Sequence, residues 1–254
     1  MDFDLNEQQA ALRTMVRDFA EKEIAPVAQE LDDKEEFPYG LVKKMGELGL
    51  MGLYMPEEYG GGGADALSFA IATEELARVD ASVAVTPMVS QMAGLVLAQS
   101  GSEAQKRRWL PPLARGEIIG AFGLTEPGAG SDAGATQTAA VLQGGQWVIN
   151  GTKCFITNSG TDITGFVIIT AVTGKRGGHS EISAILVPQG TPGYTQAKGY
   201  KKLGWHASDT HELAFVDCRV PEENLVGEKG RGFHQFLRAL DTGRITVASL
   251  GVGL

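Results

Sequence analysis

The chain has 254 residues, 43% of them hydrophobic and 21% charged, so it can bury a sizeable core in one or two domains and is not a disordered tail. Its net charge is −9, with 22 Lys and Arg against 31 Asp and Glu, which excludes a global basic field for nucleic acid. Cys154 and Cys218 stand far apart without Cys-x-x-Cys or Cys/His spacing, so they read as buried thiols, and neither a disulfide framework nor a metal site is expected.

The first half has a helical period. Leu12, Met15, Val16, Phe19, Ala20, Ile24 and Val27 keep helical spacing, and Asn6 with Gln9 is placed to cap the start. Pro38 opens a short helix through Leu41, Met45 and Leu48 that Gly49 stops. After the break at Gly60 to Gly63, Asp65 precedes a helix to about Val79, and another runs from Ala81 to Gln99 with Pro87 near its first turns. Ser102-x-x-Gln105 fits the capping box of a further helix, which Pro111-Pro112 distorts or ends. The acidic start, Met1 to Asp4, has neither signal- nor transit-peptide character, and no run approaches the 18 or so uninterrupted apolar residues of a membrane span. A cytoplasmic, bacterial-type protein is expected.

Near residue 118 the period shortens. Thr136 to Val141, Gln146 to Asn150, Thr152 to Thr157, Phe166 to Val172, Glu181 to Val187 and Leu213 to Val220 are strand-like runs. Turn signals part them at Gly144-Gly145, Asn150-Gly151, Gly177-Gly178 and Pro192-Gly193. Short strands without intervening helices predict an antiparallel barrel or sandwich. Helical spacing returns after Gly230 and runs to Leu254 with no polar cap, which reads as the first helix of a truncated bundle. The expected fold class is α+β: an all-helical part (1–117), a β-barrel or sandwich (118–229), and the opening helix of a four-helix bundle (230–254).

The segment Gly123-Leu124-Thr125-Glu126-Pro127-Gly128-Ala129-Gly130-Ser131-Asp132 holds the densest chemistry. Gly128-x-Gly130-x-x-Ala133 formally fits the dinucleotide fingerprint, but the next segment is strand-like and no acidic residue stands about 20 positions on. Pro127 fixes a turn, and Gly128 and Gly130 permit positive φ and close approach. The Thr125 and Ser131 hydroxyls with free N–H groups suit a heterocycle carrying a pyrophosphate. Taken alone, a plain surface turn explains the segment equally well.

This segment resembles the flavin motif of the acyl-CoA dehydrogenase family, and it has company. Asn150-Gly151-Thr152-Lys153-Cys154-Phe155-Ile156-Thr157-Asn158 resembles the second flavin segment, and Lys202-Leu203-Gly204-Trp205-His206-Ala207-Ser208-Asp209-Thr210 a later motif. Val220-Pro221-x-x-Asn224-Leu225-x-Gly227, Gly230-x-Gly232-Phe233 and Leu240-Asp241-x-Gly243-Arg244 continue in family order to the end of the chain.

The resemblance implies an FAD enzyme that desaturates an acyl-CoA thioester to the trans-2-enoyl-CoA and passes electrons to electron-transferring flavoprotein. A homotetramer or dimer is the usual assembly. By resemblance, Phe122, Leu124 and Thr125 line the flavin, Gly130 and Ser131 reach the pyrophosphate, and Phe155, Ile156 and Thr157 flank the ring, with Thr157 near N5. Ser131 also contacts the thioester portion, and Asp241, Thr242, Gly243 and Arg244 hold the CoA nucleotide end. Met88, Gln91 and Leu95 are candidates for the acyl pocket. Phe155 stands where many members carry Trp, which bears on acceptor docking. The catalytic base is a Glu. A minority of members place it at the position of Gly243, so it is expected beyond Leu254, and Glu126 is expected to be structural. A non-catalytic acyl-CoA or flavin binder and a flavin oxidase or monooxygenase are the alternative readings.

Overall fold

The computed structural model describes residues 4–254; the acidic start at Met1 to Phe3 and the Arg176 side chain lie outside the described residues. Helix α1 (Glu7–Phe19) opens on the expected box: Gln9 N–H donates to Asn6 Oδ1 at 2.8 Å and Asn6 N–H to Gln9 Oε1 at 3.2 Å. A π-turn over Ala20–Ile24 joins it to α2 (Ala25–Lys34). The turn keeps Val16, Ala20 and Ile24 facing inward, all 0% exposed. Next come α3 (Tyr39–Glu47) and α4 (Ala66–Ala77). Asp65 caps α4 by accepting from Ser68 N–H, and Gly49 closes the stop after α3 at φ +76°. Arg17 reaches from α1 to Glu75 on α4 with two bonds of 2.9 and 2.7 Å.

Helix α5 (Ala81–Ser100) is the axis of the helical part. It alone among the described residues is long and apolar enough to cross a membrane, with a window hydropathy of 1.5, yet 83% of that window is buried inside the protein. Uninterrupted apolar runs miss this helix because Ser, Thr and Gln are scattered through it, and the buried Thr86, Ser90 and Gln91 all bond to protein partners. Helix α6 (Glu103–Ala114) starts on the Ser102–Gln105 box and carries Pro111 and Pro112 through to Ala114. The carbonyls these prolines leave unbonded belong to the exposed Arg107 and Arg108, where water satisfies them.

The strands are β1 (Ile119–Gly123), β2 (Ala139–Gln143), β3 (Gln146–Thr157), β4 (Thr164–Arg176), β5 (His179–Pro188), β6 (Tyr194–Gln196), β7 (Thr210–Pro221) and β8 (Leu225–Val226). They form one sheet in the order β6-β7-β3-β2-β4-β5-β8, with β1 beside β4. Two expectations are corrected. The sheet is open rather than a closed barrel, and it is mixed, because β1 and β2 both lie parallel to β4. The two lie end to end along the same edge of β4, β1 against 164–169 and β2 at Val172.

The predicted turn at Asn150-Gly151 is a bulge inside one long strand, where the β3–β7 register slips between Ile149 and Gly151. Gly151 adopts φ +152°, and an added Cβ would meet Thr138 Oγ1 at 2.5 Å. Only glycine lets β2 and β3 close at this point. Strands β6 and β8 escape the sequence pattern because they are short, and β1 because Gly120 and Gly123 interrupt its apolar run.

Helix α7 (Gly232–Gly253) packs along α4 and α5 and meets β5 at its start. A Cβ on Gly232 would stand 2.1 Å from the Ser183 carbonyl carbon, and one on Gly253 2.5 Å from the Glu74 carbonyl oxygen. Both ends of α7 therefore lie backbone against backbone. Phe236 and Ala239 of α7 join Ala93, Val96 and Leu97 of α5, Leu110 of α6 and Phe166 and Ile168 of β4 in a core spanning all three parts.

Gly151→Ala should lower stability by about 1–3 kcal/mol, since the neighbour is backbone as well as side chain. Gly40→Ala on the open face of α3 meets nothing within 4 Å and should stabilise by up to ~1 kcal/mol. Urea midpoints that ranked the two variants the other way would refute this account of the bulge.

Candidate flavin site

The first flavin segment leaves the end of β1 and crosses β3. Cys154 N–H donates to Thr125 O at 2.9 Å and locks the two chains together. Glu126 and Ala129 exchange backbone bonds of 3.0 and 3.1 Å across Pro127-Gly128, forming a two-residue turn. Neither Gly128 nor Gly130 adopts a positive φ, contrary to expectation. The turn closes with ordinary backbone angles, and the contribution of Gly130 is space: nothing lies within 4 Å of where its Cβ would stand.

Beneath the turn is a buried ion pair. Lys153, 0% exposed in the middle of β3, donates to Glu126 Oε1 at 2.7 Å, to Leu124 O at 3.1 Å and to Thr170 Oγ1 at 2.9 Å. All three ammonium protons have acceptors. Glu126, 6% exposed, also accepts from Gln137 N–H at 2.7 Å and Thr138 N–H at 3.1 Å. Burial disfavours ionisation of Glu126, but Lys153 and these donors outweigh it and hold the carboxyl below the usual range. Burial pulls Lys153 down to about 8 against the opposing pull of Glu126. Glu126 is thus a structural carboxylate, as expected. Motif reasoning passes over Lys153 as a site residue, although a lysine in the centre of an apolar strand run is a visible signal.

Around this pair the expected flavin residues gather. A second slip in β3, between Lys153 and Ile156, puts Phe155 at φ +58° and throws its ring outward, 65% exposed and stacked on Tyr200 at 4.9 Å. Thr157 and Thr125 are half-buried, and neither hydroxyl has a hydrogen-bond partner among the described residues. Ser131 is exposed, and the N–H groups of Gly130, Ser131 and Asp132 have no acceptor there either. Phe122 packs on Phe236 of α7 at 4.2 Å, and Leu124 lies in the same core.

Ile156 is 2% exposed and points into the core of the sheet, so only its backbone faces a ligand. Asn158, at φ +64°, ends β3 and ties it to α5 by donating to Thr86 O at 2.9 Å, while its Oδ1 is buried without a partner.

The α7 residues divide between faces. Arg244 pairs with Asp241 at 2.6 Å on the exposed side. Gly243 is buried, with the flexible end of the Met92 side chain of α5 at 3.1 Å from where a Cβ would stand, and it offers no carboxylate. Phe233 brings the first turn of α7 to 3.9 Å from the Cβ position of Gly134, next to the flavin turn. Among the acyl-pocket candidates, Gln91 uses both ends of its amide on Tyr54 N–H and Leu50 O, and Met88 sits in the helical core. Met92, rather than Gln91, meets α7 at Gly243.

The fold and this arrangement are those of a flavoprotein oxidoreductase. Residues 6–117 match the N-terminal domain of acyl-CoA dehydrogenase and residues 121–218 its middle domain. The chain is 50% identical over 256 residues to a probable acyl-CoA dehydrogenase, YngJ, of Bacillus subtilis, covering 100% of this chain and 67% of the relative. It superposes with TM-score 0.93 on butyryl-CoA dehydrogenase of Megasphaera elsdenii, at 42% identity over 100% of this chain and 67% of that one. A chain solved in work on the electron transferring flavoprotein of Acidaminococcus fermentans gives TM-score 0.94 at 44% identity, over 100% and 66%. This chain belongs to the acyl-CoA dehydrogenase family and spans about two thirds of the length of these relatives.

Glu126→Ala leaves Lys153 without its carboxylate in the core, to be held there as an unpaired ammonium or to give up its proton, and should cost about 3–5 kcal/mol at pH 7. Because the folded Glu126 carboxyl lies below its ordinary value of 4.5, its contribution is complete above that value and is lost as pH falls through the folded-state value. Stability should therefore drop on the acid side, and Glu126→Gln should make that drop shallower. An equally steep acid limb in the variant, measured by urea unfolding between pH 6 and 3, would contradict the assignment.

Proposed function

We propose that this chain is the FAD- and acyl-CoA-binding portion of an acyl-CoA dehydrogenase acting on a short acyl chain, with 118–229 as the flavin domain between 1–117 and 230–254. One observation carries the reading. Two unpartnered threonine hydroxyls, Thr125 just past β1 and Thr157 at the end of β3, belong to segments joined by the Cys154–Thr125 backbone bond, next to a turn with three free N–H groups and an open space at Gly130. Such a row meets both the polar edge of an isoalloxazine and a pyrophosphate.

When bound, FAD supplies the hydride acceptor for the β-hydrogen of the thioester. Thr125 holds the polar edge of the ring, and Thr157 places a hydroxyl near N5. Ser131 reaches the pyrophosphate and the thioester portion, and Phe122 and Leu124 wall the ring on the α7 side. Asp241 and Arg244 present a carboxylate and a guanidinium on one helix face to the CoA nucleotide end. The glutamate base that removes the α-proton belongs to the C-terminal helical domain, since Gly243 carries no carboxylate. The exposed Phe155–Tyr200 stack is the face offered to electron-transferring flavoprotein. Likeness to the Megasphaera elsdenii enzyme supports a four-carbon-sized substrate, and likeness to the Acidaminococcus fermentans chain supports that acceptor.

Purified with FAD, the chain should retain a flavin spectrum, and Thr157→Ala should weaken FAD binding or alter its reduction. With butyryl-CoA and a dye acceptor, residues 1–254 should show no turnover. A colourless wild-type protein that takes up no FAD would sink the cofactor assignment, and clear turnover would sink the placement of the base.

A further inference from the structure

Lys153 is spent on more than neutralising Glu126. One of its three bonds goes to the carbonyl of Leu124, and that carbonyl shares a peptide unit with the N–H of Thr125. No cis peptide occurs among the described residues, so this C=O and N–H point in opposite directions. With the carbonyl drawn toward the buried ammonium, the Thr125 N–H is aimed away from it. That N–H has no acceptor among the described residues, while Thr125 O is held by Cys154 N–H. The peptides before and after Thr125 are therefore each fixed through their carbonyl, with the Thr125 N–H left free beside a half-buried threonine side chain.

Resting on the flavin reading above, we propose that Lys153 is a positioning residue that aims and polarises the Thr125 N–H as a donor to the polar edge of the flavin. A cationic hydrogen bond to a carbonyl pulls electron density through the amide and strengthens the N–H on its far side. A stronger donor at the ring edge that gains negative charge on reduction favours reduced over oxidised flavin. The geometry gives the buried pair two separate duties. Glu126 makes the ammonium tolerable and fastens the turn to Gln137 and Thr138, and Lys153 transmits its charge to the ligand through one peptide. The titratable groups facing Lys153 are Glu126 and Cys154, the latter raised by burial with Glu212 nearby.

The test uses the isotope-labelled 254-residue chain, with and without FAD. Between pH 6 and 10 the Leu124 carbonyl and Thr125 amide resonances should move together with a midpoint near 8, the value for Lys153. Removing Lys153 alone strands Glu126 and risks unfolding, so the decisive variant is the Lys153→Met/Glu126→Gln double, which removes both charges. In it the shared midpoint should vanish. Its preference for reduced over oxidised flavin should fall about tenfold, a potential lower by ~30 mV for a two-electron couple. Thr170→Val removes a different Lys153 partner and should leave the shared midpoint in place. Thr125 and Leu124 resonances that ignore the Lys153 titration, or a double variant with wild-type potential, would overturn the proposal. Wild-type protein that binds no FAD would instead overturn the flavin reading, and the resonances would still decide the Lys153–Leu124–Thr125 link.

Discussion

The turn after β1 and the strands beneath it depend on one ammonium group in the middle of a strand. Lys153 and Glu126 each cost several kcal/mol to desolvate, and the pair is tolerable only because every proton and lone-pair direction that matters is answered. The acceptors for Lys153 come from the end of β1, the turn after it and β4, and Glu126 in turn accepts from the Gln137 and Thr138 N–H groups on the approach to β2. Hydrophobic packing alone would let the Pro127-Gly128 turn slide over the sheet. The ion pair gives that turn a single registered position, and Thr125, Gly130 and Ser131 are carried with it.

A second constraint works through glycine. At Gly151, Gly232 and Gly253 the backbone of one element touches another at distances that exclude a Cβ. The first draws β2 onto β3, and the other two bring α7 onto β5 and α4. Phe236 then lies over Phe122, and Phe233 stands beside the flavin turn. The sheet, α5 and α7 meet there, so the proposed site draws its lining from segments far apart in the sequence.

Much of the fold is legible in the sequence because it is encoded locally. The Asn6–Gln9 and Ser102–Gln105 boxes and the Asp65 cap bond residues three apart, so their chemistry is complete in a tetrapeptide. The long strands show their period for the same reason. What is illegible is non-local. Asn150-Gly151 has the composition of a turn and becomes a bulge only because β7 and Thr138 are already in place around it. Gln91 looks like a pocket residue on a helix wheel and is taken up by Tyr54 and Leu50, some forty positions away.

The motif residues illustrate the same division. Order and spacing alone are enough to name the acyl-CoA dehydrogenase family, since its motifs are short strings that keep their residues and their order along the chain. Sequence also marks Glu126 as structural and Gly243 as no base. Tertiary structure alone decided that Phe155 points outward while Ile156 turns into the core, through a one-residue slip against β7. It decided the partner of Lys153 too. A charge in a strand has no meaning until the register across 27 residues sets a carboxylate, a hydroxyl and a carbonyl around it, and that register is a property of the folded sheet.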